Sequence, residues 1–267
     1  MTWRLLMRSE PDIFRNLALE EALARVNAKS EEKVNTLRFW KSNEAVVMGR
    51  FQCPHLEVNM EFCHEHGIPI ARRFTGGGTV YHDSGNLNFT LCLDQSELCV
   101  PRTLNELYWN FIGVIASGLG AVGIPARFDP NRNCIRVHGK KITGTAGWIK
   151  SGVSFVHGTL LINSDLELLS DCLHVPENQP VYLRDNRRIR CIKSKRDRVT
   201  NVVNGTESPP SEEKIKQAIV AGLEEFCADT IHAGSVTDEE MTASESLYQT
   251  RYSQEKWNMG ILAQTET

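Results

Sequence analysis

The chain has 267 residues, and its 30 Lys plus Arg against 33 Asp plus Glu give a formal net charge of −3 at pH 7. This balance excludes a strongly basic nucleic-acid-binding protein, and the 41% of hydrophobic residues excludes a disordered chain. The start, Met1 to Arg4, lacks the basic-then-apolar order of a signal peptide, so we predict a cytoplasmic protein.

Hydrophobic periodicity and turn residues predict mixed helices and strands that do not strictly alternate, which favours an α+β fold with a mixed or antiparallel sheet core flanked by helices. In the first helix, Glu20 and Glu21 are expected on the outer face. The uncharged stretch 107–126 is long enough to cross a bilayer, but its glycines and Pro125 favour a buried amphipathic helix, so we predict no membrane contact. Helices are predicted at 15–26, 58–66, 103–118, 166–172, 211–226 and 237–248, and strands at 36–40, 45–48, 79–81, 87–93, 134–137, 141–145 and 154–162.

The eight cysteines form no CxxC pair, and we expect buried, reduced thiols. Two groups, Cys53 with His55 and Cys63 with His64 and His66, contain zinc-ligand residue types. Their spacing is not that of a standard zinc module, so no metal site is predicted.

A glycine-rich segment, Arg72-Arg73-Phe74-Thr75-Gly76-Gly77-Gly78, is the most unusual feature of the sequence. Consecutive glycines let backbone N–H groups approach an anion, and the two guanidinium groups would lie beside them. The segment indicates a phosphate or carboxylate site. A glycine-rich hairpin beside a solvated arginine pair remains the alternative.

A second segment places Lys141 on a short predicted strand among small residues, from which its charge can reach a cleft and stabilise an anionic transition state. Two surface lysines before a turn are the alternative. The G-x-G-x-x-G spacing of 118–123 follows a helical run instead of a strand, so we interpret it as a helix end and not as a dinucleotide site.

Four blocks together resemble the lipoate–protein ligases. Residues 72–86 are similar to the family signature RRxxGGGxVxHDxGN, and 141–146 to its K-[IV]-[ST]-G-x-A element. Residues 157–161 and 198–201 match two further blocks in the expected order. The resemblance extends from the first helix to about residue 260 and implies the biotin and lipoate ligase catalytic-domain fold.

The resemblance implies a reaction in which lipoate and Mg²⁺-ATP give lipoyl-AMP, whose lipoyl group is then transferred to a lysine of an acceptor protein. Lys141 would be the catalytic residue and would also contact ATP and lipoate. The nucleotide would be bound by Arg73, Gly76, Gly77, Gly78, Thr79, Val80 and Tyr81. Lipoate or lipoyl-AMP would be bound by Arg73, His82, Asn86, Thr145, Ala146 and His157.

One departure from the family concerns Cys134. Relatives often carry Asn-Asp where this chain has Asn133-Cys134, which puts an acidic contact to Mg²⁺ or the nucleotide in doubt. A functional thiol there is one interpretation, and a packed strand cysteine is the other.

Three alternatives remain open. An ATP-independent octanoyl- or lipoyltransferase shares the fold, but its cysteine-dependent class carries the nucleophile upstream of the lysine element, and 126–129 holds no cysteine. A non-catalytic partner chain would need neither Arg73 nor Lys141. A biotin ligase has a different glycine-rich signature.

Family members often continue into a small C-terminal accessory domain, whereas this sequence is predicted to comprise a catalytic domain over 1–260 and a tail over 261–267. The resemblance implies acceptors that are lipoyl domains of 2-oxoacid dehydrogenase complexes or the glycine-cleavage carrier protein. It leaves two alternatives for the accessory domain: a separate protein supplies it, or the chain performs mainly the transfer half-reaction. Because lipoyl domains are typically acidic, basic residues at 187–190 and 193–198 are candidates for docking.

Overall fold

The computed structural model describes residues 3–184 and 191–263, and within these ranges the chain forms eight α-helices and fourteen β-strands. The helices are α1 (Ile13–Asn27), α2 (Met60–Glu65), α3 (Leu104–Leu107), α4 (Gly113–Ala121), α5 (Leu166–Leu173), α6 (Glu212–Cys227), α7 (Asp238–Leu247) and α8 (Glu255–Asn258). The strands are β1 (Trp3–Leu6), β2 (Asn35–Trp40), β3 (Ala45–Met48), β4 (Ile70–Arg72), β5 (Val80–His82), β6 (Asn86–Asp94), β7 (Ala126–Asp129), β8 (Cys134–Val137), β9 (Lys140–Lys141), β10 (Thr143–Lys150), β11 (Val153–Leu161), β12 (Tyr182–Leu183), β13 (Ile231–Ala233) and β14 (Ile261–Leu262).

The largest sheet has six strands in the order β10-β11-β6-β2-β1-β13. Strands β10, β11, β6 and β2 pair antiparallel, whereas β2, β1 and β13 pair in parallel. A three-stranded sheet has the order β4-β3-β5, and a second has the order β7-β8-β9. Mixed sheets with helices packed against them confirm the predicted α+β class.

Two hydrophobic clusters fix the layers. The larger one packs Phe111 and Ile115 with Ile219 of α6 against sheet residues that include Phe89 and Leu91. The second packs α1 and α7 against the β3 sheet and Trp40. Helix α1 therefore lies between the six-stranded sheet and the β4-β3-β5 sheet, and its side chains can reach the space between these two sheets.

Every predicted helix has a counterpart, but the one predicted over 103–118 is divided. Helices α3 and α4 are separated by a π-helical turn at Tyr108–Ile112. The predicted membrane-length stretch ends in β7, and no helix within the described ranges is sufficiently long and apolar to cross a bilayer. Residues 118–123 lie at the C-terminal end of α4, as predicted for a helix end.

The expectation that Glu20 and Glu21 face outward is wrong. Glu20 is fully buried and Glu21 is 3% exposed. Glu21 pairs with Arg251 at 2.5 Å and accepts a hydrogen bond from Tyr252 Oη at 2.7 Å. Helix α7 and the turn that follows it cover the side of α1 that carries Glu21, so this side is not exposed to solvent. Buried carboxylates need such partners, because an unpaired buried charge is strongly destabilising.

Gly49, which follows β3, is closely packed against residues 73–79, called here the glycine-rich loop. A Cβ on Gly49 would lie 2.2 Å from the carbonyl oxygen of Gly77. We expect Gly49→Ala to lower the free energy of unfolding by about 2 kcal/mol or more, within the range for overpacking. Gly120→Ala is the matched control because no atom lies within 4 Å of its Cβ position. It should be neutral or slightly stabilising, and chemical denaturation compares the two. Equal stabilities of the two variants would contradict the close packing.

Candidate active site

A cavity of about 930 Å³ opens between the end of the large sheet, the glycine-rich loop and residues 191–199, a segment called here the strap. Eleven of the thirteen predicted site residues line it. Gly76 and Asn86 do not. Asn86 is buried at the start of β6 and donates from its amide to Asn88 Oδ1 at 3.1 Å. The residues in the lining are Arg73, Gly77, Gly78, Thr79, Val80, Tyr81, His82, Lys141, Thr145, Ala146 and His157.

The guanidinium of Arg73 organises the glycine-rich loop from inside. Its Nη2 donates to the carbonyl oxygens of Gly76 at 2.6 Å and Gly78 at 2.7 Å, and its Nη1 donates to Val47 O at 3.1 Å. Gly77 adopts φ +84°, in the region that glycine enters without strain. Burial lowers the pKa of Arg73 to about 10, so the group remains a cation at neutral pH. The loop's carbonyls thus turn toward this cation.

Arg72 does not lie beside the loop as the sequence suggested. Its guanidinium donates to the carbonyl oxygens of Gln52 at 2.6 Å, Trp257 at 2.8 Å and Asn258 at 2.9 Å. Because two of these carbonyls belong to α8, Arg72 attaches that helix to β4. Only the second arginine of the pair lines the cavity.

A buried chain of hydrogen bonds runs from Glu20 to the loop. Glu20 Oε2 lies 2.8 Å from His157 Nδ1, and His157 Nε2 lies 2.8 Å from Thr75 Oγ1. Thr75 Oγ1 in turn accepts from Arg73 Nε at 3.1 Å. Although burial raises the pKa of the Glu20 carboxyl, the charge of His157 and hydrogen bonds outweigh it, and the net pKa is lowered. Neither Glu20 nor Thr75 was predicted, because an acidic residue on a helix carries no sequence signal for burial.

His82 lies in the cavity wall, 3% exposed, with its ring centroid 5.5 Å from that of Trp40. Among the described residues its Nδ1 has no hydrogen-bond partner. Burial lowers the pKa of His82 to about 3, so the imidazole is neutral at physiological pH. A neutral ring can accept from or donate to a substrate without adding charge.

This burial predicts a pH effect on stability. Because the folded-state pKa of His82 lies below its ordinary value of 6.5, the unfolded chain binds more protons between these two pH values. Stability therefore falls as the pH drops below about 6.5, by up to about 1.4 kcal/mol per pH unit from this group. We expect His82→Gln to flatten the pH dependence, as measured by urea unfolding between about pH 7 and pH 5. If the free energy of unfolding of His82→Gln depended on pH as steeply as that of the wild type, the proposed titration of His82 would be wrong.

Lys141 enters the cavity from β9. Its backbone donates to Arg198 O at 2.8 Å and accepts from Thr200 N at 3.0 Å, so the end of the strap pairs with the strand that carries it. Among the described residues its Nζ has no hydrogen-bonding or ion-pair partner. Burial lowers the pKa of the Lys141 amine, and nearby Asp197 opposes that shift. The amine is therefore positioned but not neutralised by a partner.

Cys134 is buried in β8, and burial raises the pKa of its thiol. A thiol that resists ionisation is a poor nucleophile, so the structure favours the packed strand cysteine. Asp197 in the strap accepts from Arg136 Nη2 at 2.5 Å, and Arg136 also pairs with Asp129 at 2.7 Å. These charges hold the strap next to Lys141.

A second buried carboxylate, Glu57, joins the strap to the glycine-rich loop. Ser194 N donates to Glu57 Oε1 at 2.7 Å, and Ser194 Oγ donates to Glu57 Oε2. Thr79 Oγ1 donates to the same carboxylate at 3.0 Å, and Gln52 Nε2 donates to Ser194 Oγ at 2.9 Å. These contacts join segments far apart in the chain, so no local sequence pattern could predict them.

The cysteines also depart from expectation. Cys53 forms a disulfide with Cys191, so the prediction that all thiols are reduced is wrong for this pair. The other six cysteines are free, and the Cys63 thiol is hydrogen-bonded to that of Cys172. Within the described ranges no group of three or more His, Cys, Asp or Glu side chains is placed to hold a metal ion.

The chain is similar to known proteins over most of its length. The lipoyl protein ligase A/B catalytic domain family matches residues 12–224. A relative, lipoate-protein ligase A subunit 1 of Thermoplasma acidophilum, is 32% identical over 98% of this chain and 98% of its own length. The octanoyltransferase LipM of Brevibacillus brevis is 27% identical over 96% of this chain and 98% of its own length.

Two solved structures share the fold. A lipoate-protein ligase A bound with ATP has a TM-score of 0.82 and 29% identity, and the match covers 98% of this chain and 100% of that one. A bi-partite lipoate protein ligase from Thermoplasma acidophilum, studied with its E2 lipoyl domain, has a TM-score of 0.82 and 28% identity over the whole of both chains.

Proposed function

The chain belongs to the lipoyl protein ligase A/B catalytic domain family, and on that premise we propose that it activates lipoate with ATP and transfers the lipoyl group to a lysine of a lipoyl domain. One observation carries the proposal: a lysine amine without a partner among the described residues and an arginine-supported glycine loop line a single cavity. Activation joins two anions, so a fixed cation between them is the chemical requirement.

In the first step the lipoate carboxylate attacks the α-phosphorus of ATP and pyrophosphate leaves. Lys141 would contact both the carboxylate and the α-phosphate and stabilise charge as the new bond forms. Gly77, Gly78 and Thr79 would line the nucleotide by backbone contacts, with Arg73 holding the loop in shape. Gly76, which lies outside the cavity lining, would act through that loop conformation.

The same cavity also suits an acyl chain with a dithiolane ring. Its lining includes Leu17, Trp40, Val47 and Ala146, which offer apolar surface in a partly enclosed space. His157 lies in this lining with both ring nitrogens occupied by Glu20 and Thr75. It would therefore shape the pocket as part of this hydrogen-bonded chain.

The described residues do not provide a magnesium site of their own. Asp197 is the carboxylate next to Lys141, but it is engaged by Arg136 at 2.5 Å, and Cys134 is a residue type that Mg²⁺ does not favour. We therefore expect Mg²⁺ to arrive with ATP, coordinated by its phosphates and water. No step proposed here for the chain's residues requires a protein ligand to the ion.

In the second step the amine of an acceptor lysine attacks the acyl carbon of lipoyl-AMP, and AMP leaves. Exposed strap residues Lys193, Lys195 and Arg198 surround the cavity mouth and would attract an acidic lipoyl domain, whether of a 2-oxoacid dehydrogenase complex or the glycine-cleavage carrier. The other docking candidates, 187–190, lie outside the described residues. By analogy with the bi-partite ligase, the proposal includes a separate accessory polypeptide acting on the 1–260 catalytic domain in the cytoplasm.

The test is modification of a purified lipoyl domain. We expect lipoate and Mg²⁺-ATP, with an accessory polypeptide present, to increase the acceptor's mass by one lipoyl group, as read by intact mass spectrometry. An acceptor with its target lysine changed to arginine is the control and should stay unmodified. No mass gain, with or without the accessory polypeptide, would overturn the proposal.

A transferase that takes octanoyl or lipoyl groups from a carrier protein is the second candidate, since one relative carries that name. Its cysteine-dependent form lacks support here because Arg127 and Phe128 occupy the region upstream of the lysine element and Cys134 is buried. Mass gain of the acceptor from octanoyl-carrier without ATP would favour it over the ligase.

A further inference from the structure

The strap is attached to the rest of the site at its first residue by a covalent bond. Cys191 is joined to Cys53, which is 138 positions away and immediately precedes the turn Pro54–Leu56. Next to this bond, Ile192 N donates to Phe51 O at 3.0 Å. The disulfide therefore fixes the start of a segment whose following residues, 192–199, all line the cavity.

Ser194, three residues beyond the disulfide, accepts a hydrogen bond from a backbone N–H group of the glycine-rich loop. Thr79 N donates to Ser194 Oγ at 2.9 Å. A Cβ on Gly78 would lie 2.9 Å from that same oxygen, so the serine is in close contact with the loop. Loop amides of this kind are the groups that bind phosphate oxygens. The serine hydroxyl thus takes the position at which a nucleotide phosphate oxygen would accept a hydrogen bond.

The two sulfur atoms differ in access. Cys53 is fully buried, whereas Cys191 is partly exposed. An incoming thiolate can therefore reach the Cys191 sulfur, with the Cys53 sulfur as the leaving group. Reformation of the bond needs the strap to return to its hydrogen bonds with Glu57 and Phe51, and it needs a disulfide that accepts the two electrons and two protons of the thiols.

We propose that the Cys53–Cys191 disulfide is a thiol–disulfide exchange site that keeps the strap on the glycine-rich loop, and that a dithiol able to close to a cyclic disulfide opens it. One thiolate of the dithiol attacks Cys191 Sγ, the S–S bond breaks, and the Cys53 sulfur takes a proton. The second thiol then attacks its own mixed disulfide and releases Cys191 as a thiol. The protein gains two electrons and two protons, and the dithiol is oxidised to its ring.

The choice of dithiol rests on the proposed function. Lipoate is such a cyclic disulfide, and its reduced form is such a dithiol, so the exchange couples the site to the redox state of its own substrate. With the strap released, Ser194 no longer competes for the Thr79 amide. We expect ATP to bind roughly three- to tenfold more tightly after reduction, the range that one net hydrogen bond corresponds to.

The experiment compares the full chain purified without reductant, the same chain treated with dithiothreitol or dihydrolipoate, and the double variant Cys53→Ser with Cys191→Ser. Peptide mapping after alkylation should show the Cys53 and Cys191 peptides linked before treatment and separately alkylated after it. Limited trypsin digestion reports strap release, because Lys193 and Lys195 are cleavage sites within it. Reduced and double-variant chains should be cut there several-fold faster. Cys99→Ser, outside the cavity lining, is the control and should behave as the untreated chain does.

Unlinked peptides in the untreated chain, or equal cleavage rates in all three forms, would overturn the exchange site. Faster cleavage after reduction without ATP binding in any form would support the exchange site and count instead against the proposed function. Tighter ATP binding in the disulfide-bonded form would contradict the competition between Ser194 and the phosphate.

Discussion

Replacing Lys141 with alanine is expected to lower adenylate formation by about 10³-fold, the upper range for losing one preorganised charge-stabilising group. The amine lies in the cavity without a hydrogen-bonding or ion-pair partner among the described residues, so it is available to contact the reacting carboxylate, and its removal takes that charge away. The backbone contacts of Lys141 with Arg198 and Thr200 do not need the side chain. The fold should therefore persist, which thermal unfolding checks beside lipoate-dependent pyrophosphate exchange.

Lys140→Ala is the matched control for that variant. Lys140 is exposed, lies in the same two-residue strand and does not line the cavity. It should keep both activity and stability. If Lys141→Ala remained as active as Lys140→Ala, the role assigned to Lys141 would be wrong.

Replacing Arg73 with methionine is expected to lower the free energy of unfolding by about 3–5 kcal/mol, the range for removing one partner of a buried charged network. The change leaves the carbonyl oxygens of Gly76, Gly78 and Val47 without their donor in a buried setting. Because these bonds hold the glycine-rich loop, ATP binding should be lost as well. Denaturant unfolding and calorimetric titration with ATP measure the two effects.

Arg15→Met is the control for this second variant. Arg15 pairs with Glu245 at the surface, with about half of each side chain exposed, and such pairs contribute little. Its stability and ATP binding should stay close to those of the wild type. An Arg73→Met chain that matched it in both measurements would show that the loop does not depend on the guanidinium.

Local patterns predicted most elements because their signals are local. Helix α6, predicted at 211–226, begins after Ser211, whose hydroxyl accepts from Lys214 N, and the structure has it at Glu212–Cys227. Strand β3 was predicted with its observed bounds, Ala45–Met48. Strands β1 and β13 were not predicted. They are short, and they pair with each other in parallel across more than two hundred residues of chain, a contact that periodicity does not encode.

The candidate site shows the same contrast between residues with a local sequence signal and residues that depend on distant partners. Arg73 and Lys141 were predicted because they belong to compact sequence blocks, and the structure brings both to one cavity. Glu20 and Glu57 were missed because each becomes meaningful only through partners more than a hundred residues away, His157 and Ser194. The disulfide was missed for the same reason, since Cys53 and Cys191 carry no spacing that predicts their pairing.

The most direct test of the central proposal is lipoate-dependent incorporation of labelled pyrophosphate into ATP by the purified chain, alone and with an accessory polypeptide. Exchange that requires lipoate and is not supported by biotin is the predicted result. Absence of exchange in both conditions, together with acyl transfer from an octanoyl-carrier protein, would contradict it.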